Sequence, residues 1–257
     1  MKKLVAVLLV LVVCVYAQDS LDSTVAGHMQ KGDVAYDNYD NESALEYFLL
    51  AYQADTTNCE ATWKVSRSYV DVGEFAEEKK QKEYYAEGDK FARKAIALCP
   101  DNADAHLSLS VAVGRVALIS GKKKQVQLSA VVKEEAMKAL ELDPSNDIAH
   151  HVLARWHRKV ANLGGLQKTF AKILYGGLPD ASNEKAIEHF QKAIELDPDY
   201  VNHHLELGLT YEEVDEWELA KAEYDKVLEL PVSSSDDEEY KKTAAERLEK
   251  VNKKIKK

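Results

Sequence analysis

The chain has 257 residues, 46% hydrophobic and 30% charged, enough apolar material for a core and enough charge to stay in solution. Its 11 glycines and 5 prolines are too few for a turn-rich β architecture, and its wealth of Ala, Leu, Glu and Lys favours helix. A formal net charge of −10 repels phosphate backbones and anionic lipid, so nucleic acid is excluded as an expected partner.

The first element is unlike the rest. Lys2 and Lys3 precede an apolar run from Leu4 to Tyr16, and Val15-Tyr16-Ala17 places small residues around a cleavage point. Residues 1–17 are predicted to be a secretory signal peptide, too short for a comfortable membrane span, and residues 18–24 a short linker. Export to the periplasm or medium is the expectation, with retention as an envelope anchor the alternative. Cleavage would leave 32 basic against 44 acidic residues, a net charge of −12, and no later apolar run is long enough to span a membrane.

A phrase then recurs: KAIALCPDN at 94–102, KALELDPSN at 138–146 and KAIELDPDY at 192–200. Each reads as a helix end stopped by proline, which lacks the N–H to continue a helix and steers the preceding residue away from the α conformation. Alignment on these phrases gives five units, 25–58, 59–102, 103–146, 147–200 and 201–234. Their lengths are 34, 44, 44, 54 and 34 residues, so the middle units carry additions.

Small residues recur at positions 8, 20 and 27, and large ones at 7, 11 and 24. The last unit has Leu207, Gly208, Tyr211, Ala220 and Tyr224; the first has Gly32, Ala44, Phe48 and Ala51. This pattern resembles the tetratricopeptide repeat (TPR). The resemblance implies an all-α, TPR-like α-solenoid of antiparallel helix hairpins, each leaving an apolar face for the next to cover. Residues 235–257 read as a C-terminal capping helix, with a capping box at Ser235-x-x-Glu238 and an apolar stripe of Ala244, Leu248, Val251 and Ile255.

The fourth unit separates its two helices by RKVANLGGLQKTFAKILYGGLPDASNEKAI (158–187). A helix containing Trp156 is followed by an inserted amphipathic helix with Leu166, Phe170, Ile173 and Leu174, then by a Gly-Gly-x-Pro turn. That order, from about Ala61 to Pro231, resembles the regulator of microtubule dynamics family. The resemblance implies a TPR fold, a protein-binding role and microtubule association. The export signal and the repulsion between this acidic chain and acidic tubulin tails argue against the last of these.

No motif calls for catalysis or a cofactor: there is no Gly-x-Ser-x-Gly elbow, no HExxH and no P-loop lysine. His28, His106, His150 and His204 all fall at position 4, where TPR units carry a flat ring, so they are read as packing residues rather than metal ligands. Cys59 and Cys99 sit at the start of the first helix and the end of the second helix of one unit, so a disulfide is conceivable. By resemblance, positions 2, 5, 6, 9, 12 and 13 of each first helix face the concave side. There they place Trp63, Lys64, Arg67, Arg115, His151, Arg155, Arg158 and Lys159, a cationic row suited to an acidic peptide or a carboxylate. The expected function is a non-catalytic scaffold that binds a protein or peptide. The alternatives are ordinary helix faces salt-bridged to neighbours, or a carrier of small molecules or lipid using the groove and the inserted helix.

Overall fold

The structure, a computed structural model, describes residues 24–256. The expected signal peptide lies outside the described residues. Among those residues every regular element is an α-helix. They are α1 (24–37), α2 (Asn41–Ala54), α3 (Cys59–Phe75), α4 (Glu78–Leu98), α5 (Ala103–Leu118) and α6 (Lys122–Leu142). Then follow α7 (Asp147–Ala161), α8 (Gly165–Tyr175), α9 (Asn183–Leu196), α10 (Val201–Glu213), α11 (Trp217–Glu229) and α12 (Asp237–Ile255). The chain divides into two compact units, Met1–Pro100 and Asp101–Lys257.

Local chemistry sets the helix ends. Asn58, Asn102 and Asn146 cap α3, α5 and α7, each accepting a backbone N–H from the residue three further on, at 2.8, 2.9 and 2.8 Å. At the other ends Pro100, Pro144 and Pro198 each follow the last helical residue by two positions, after α4, α6 and α9. The two turns without an addition share another feature: Tyr39 and Asp215, both at position 15, adopt left-handed φ values of 62° and 61°.

In the first unit α2 packs on α3 and α3 on α4. Val25, Met29, Ala44, Phe48, Ala51, Ala61 and Val65 form its core. In the second, α5 pairs with α6, α7 with α9 and α10 with α11, and α12 covers α11 and α10. Its core runs from Ala154 and Phe190 through Leu207 and Tyr224 to Val251.

The small residue at position 8 solves the close approach in two ways. Gly32, α1, faces the ring of Phe48, α2, and Gly208, α10, faces that of Tyr224, α11, with no room for a Cβ. In the 44-residue units a serine stands there and donates across the hairpin: Ser66 Oγ to the Gly88 carbonyl at 2.8 Å and Ser110 Oγ to the Val132 carbonyl at 2.7 Å. Each of these bonds spans 22 residues.

The additions take two forms. In the second and third units they lengthen the hairpin, since α4 and α6 have 21 residues each against 14 in α2. In the fourth the addition contains a separate helix, α8, ended by Gly176 in the left-handed conformation.

Two local features go beyond the sequence pattern. At the start of α12 the fully buried Asp237 accepts the backbone N–H groups of Ser233 and Ser234 at 2.7 and 2.9 Å, together with both hydroxyls. The three-serine turn turns back onto that carboxylate, and the helix starts one residue after Asp236. On the inserted helix α8, Ala171 is buried, while Leu166 and Ile173 are 60% and 72% exposed. α8 packs on α6, and Leu166 and Ile173 lie outside that contact.

Candidate binding surface of the first helices

In the Met1–Pro100 unit, α3 carries Trp63, Lys64 and Arg67. Lys64 is nearly buried, and its Nζ meets Asp33 at 2.6 Å and Glu60 at 2.8 Å. Its ammonium also lies over the Phe48 and Trp63 rings. The Arg67 guanidinium stacks on Tyr36, 3.8 Å from the ring centroid, and stands 5.3 Å from Trp63. These cations are held by rings and carboxylates rather than standing free.

In the Asp101–Lys257 unit four of the other five residues, Arg115, Arg155, Arg158 and Lys159, act on one carboxylate that the sequence reading missed. Glu206, on α10, is buried and receives Arg158 in a close ion pair and Arg155 Nε at 3.2 Å. Burial alone would push the Glu206 carboxyl up; Arg155, Arg158, Lys159 and Arg115 together outweigh it and hold it below its ordinary value. Burial lowers the pKa of Arg158 and of Lys159, with Glu206 and Glu213 opposing. Arg115, Arg155, Arg158 and Lys159 all act on the Glu206 carboxylate, and Glu213 acts on Arg158 and Lys159. Lys159 is exposed and Arg155 partly so, which gives solvent an edge of this cluster. The signal for Glu206 was present in the register: it holds position 6 of the last unit, opposite the helix that carries the cations.

His151 lies at the bottom of the same cluster. Its Nδ1 is 2.9 Å from Nδ1 of His203, whose Nε2 is 3.0 Å from Asp147. Burial, then the charges of His203, Arg155, Arg158 and Arg115, hold the His151 imidazole well below its ordinary pKa, so it is neutral near pH 7. Three of the four position-4 histidines reach the second helix of their own unit. His106 meets Glu135 at 2.6 Å, His150 meets His189 at 3.0 Å, and His204 meets Glu223 at 2.7 Å. Among the described residues no group of three or more His, Cys, Asp or Glu is arranged to hold a metal ion. Cys59 and Cys99 are joined as a disulfide, with Cα atoms 6.1 Å apart, tying the start of α3 to the end of α4.

Comparison with known proteins agrees with this architecture. The solved structure of TTC0263, a TPR protein of Thermus thermophilus, superposes with a TM-score of 0.64 at 16% identity, covering 87% of this chain and 98% of that one. The fold is thus all-α and TPR-like. Human regulator of microtubule dynamics protein 2 is 27% identical over 185 residues, 71% of this chain and 45% of its own length. Bovine regulator of microtubule dynamics protein 1 is 25% identical over 223 residues, 86% of this chain and 70% of its own length. This chain therefore spans under half of the protein 2 relative. The sequence pattern described as regulator of microtubule dynamics protein 1-3 matches residues 28–252, and the chain belongs to that family.

Proposed function

We propose that this protein is an exported, non-catalytic scaffold that binds an acidic peptide or partner segment along the first helices of its second compact unit. The observation that carries the reading is the cationic cluster around Glu206, whose Arg155 and Lys159 reach the surface. A ligand carboxylate could approach these two side chains from solvent, and Arg is suited to take it in fork geometry. The Cys59–Cys99 bond supports an oxidising compartment, in keeping with the signal peptide expected at residues 1–17.

The test is fluorescence anisotropy with a panel of labelled acidic and neutral peptides. Acidic peptides should bind with an affinity that falls as salt is added. Lys159→Glu, at an exposed position, should weaken that binding about fivefold or more, in line with the loss of one charge-assisted contact. Equal binding of neutral peptides, or an unaltered affinity in Lys159→Glu, would refute the reading.

A further inference from the structure

The net charge of the chain conceals an inversion. Residues 105–133 and 148–179 contain no Asp or Glu and hold ten of the 34 Lys and Arg, while the other 24 share the chain with all 44 acids. Five of those ten, Lys122, Lys123, Lys124, Lys168 and Lys172, lie at the start of α6 and along α8.

These two helices meet at one atom. Gln125 Oε1 accepts from Gln167 Nε2, on α8, at 3.1 Å and from Lys122 Nζ, on α6, at 3.5 Å. Gln125 Nε2 in turn donates to the Ser120 carbonyl at 2.9 Å, fixing the turn that precedes α6. The lysine run, the α5–α6 turn and the first turn of α8 are thereby neighbours. Around this junction large apolar side chains stand in solvent: Leu118 and Ile119 are 54% and 42% exposed, and on α8 Leu166 and Ile173 are more so. Leu166 and Ile173 are seven residues apart, hence on one stripe, and Lys172 lies on the flank next to it.

Exposed leucine and isoleucine framed by lysine, with no acid on α8, is the make-up of a helix that lies in a membrane interface. The lysines answer anionic headgroups and the apolar stripe answers the acyl boundary. We infer that α8 and the N-terminal end of α6 form a peripheral docking surface for an anionic lipid bilayer. The acidic remainder of the surface, repelled by the same headgroups, orients the molecule with this patch down. No helix among the described residues is long and apolar enough to cross a membrane, so the contact is with the surface. It uses none of the residues around Glu206.

Vesicle flotation with the full chain tests this, comparing pure phosphatidylcholine vesicles with vesicles containing about one third phosphatidylglycerol. The N-terminal apolar segment is common to every protein compared, so differences report the patch. Wild type should float with the anionic vesicles and be released as salt rises. Lys122→Glu/Lys123→Glu/Lys124→Glu should lose about tenfold or more of that affinity, and Leu166→Ser/Ile173→Ser should lose a comparable amount. The first variant adds acids to the first turn of α6, which suits the helix dipole, so its fold is retained. The second alters only exposed side chains. Equal flotation on both vesicle types overturns the inference, as does wild-type affinity in either variant or capture that salt leaves unaltered.

Discussion

A Cβ built on Gly208 would stand 2.6 Å from Cε1 of Tyr224, a side chain with no solvent exposure. The ring cannot retreat, because its hydroxyl donates to Glu212, which Arg247 grips through Nε at 2.7 Å and Nη2 at 2.6 Å. The absent side chain thus lets α10, α11 and α12 close around one network. Gly208→Ala should destabilise the protein by about 1–3 kcal/mol, the usual cost of overpacking. Gly27→Ala, where nothing lies within 4 Å of the added Cβ, should stabilise it by about 0.5–1 kcal/mol through helix propensity. Urea denaturation of the two variants beside wild type reads both signs.

Removing the shared carboxylate should be costly. Glu206→Gln leaves Arg155 and Arg158 without their common partner at a buried position, and about 3 kcal/mol should be lost, as for other broken buried pairs. Added phosphate should recover part of this loss in the variant and less in wild type, since the anion fills the charge deficit. A chemical-denaturation series with and without phosphate measures the difference.

Acid should weaken the second compact unit. His157 is lowered to about 4, by burial first and then by His189, Lys185 and Lys133. Burial lowers His150 and His189, and His151 falls well below its ordinary value. Each is neutral in the folded protein while its unfolded counterpart binds a proton below pH 6.5. Stability is therefore fully present above that value and is lost as pH falls toward 4. His157 stacks on the His189 ring at 16°. His157→Phe keeps a flat ring there and cannot be protonated, so its melting temperature should fall less steeply between pH 6.5 and 4. Thermal melts across that window decide it.

Reduction should loosen the first compact unit. The Cys59–Cys99 bond closes a 40-residue separation, for which about 2–4 kcal/mol is typical. Dithiothreitol should lower the melting temperature of wild type and leave Cys59→Ser/Cys99→Ser unaffected. Thiol counting on the denatured, unreduced protein should find neither of these two cysteines reactive.

Much of this architecture was legible because the repeat punctuates itself. Pro100, Pro144 and Pro198 mark helix ends, and the small-against-large pairing of position 8 with position 24 describes a contact within one hairpin. What escaped was what depends on partners distant in sequence. Arg158 and Glu206 are 48 residues apart, so reading only the cations of the row described half of an ion cluster. The amphipathic pattern of α8 identified a helix but not which apolar residues would be covered: Ala171 is, Leu166 and Ile173 are not. The role of Asp237 escaped as well, because one buried carboxylate satisfies two backbone donors and two hydroxyls together, which no helix-start spacing announces.

The serine stitch has a consequence for how such chains diverge. From position 8 to position 20 the short units count 12 residues, Gly32 to Ala44 and Gly208 to Ala220, whereas Ser110 to Val132 spans 22. All of the extra length in that unit lies beyond the stitch, at the hairpin tip. α6 gains seven residues over α2 there, about 10 Å of additional helix. Gln125, which holds α8, belongs to that overhang. The lengthened hairpin is thus the shelf on which the inserted helix rests, and the two insertions, separate along the chain, should be inherited together. A relative whose third unit has shrunk to 34 residues should also have lost α8.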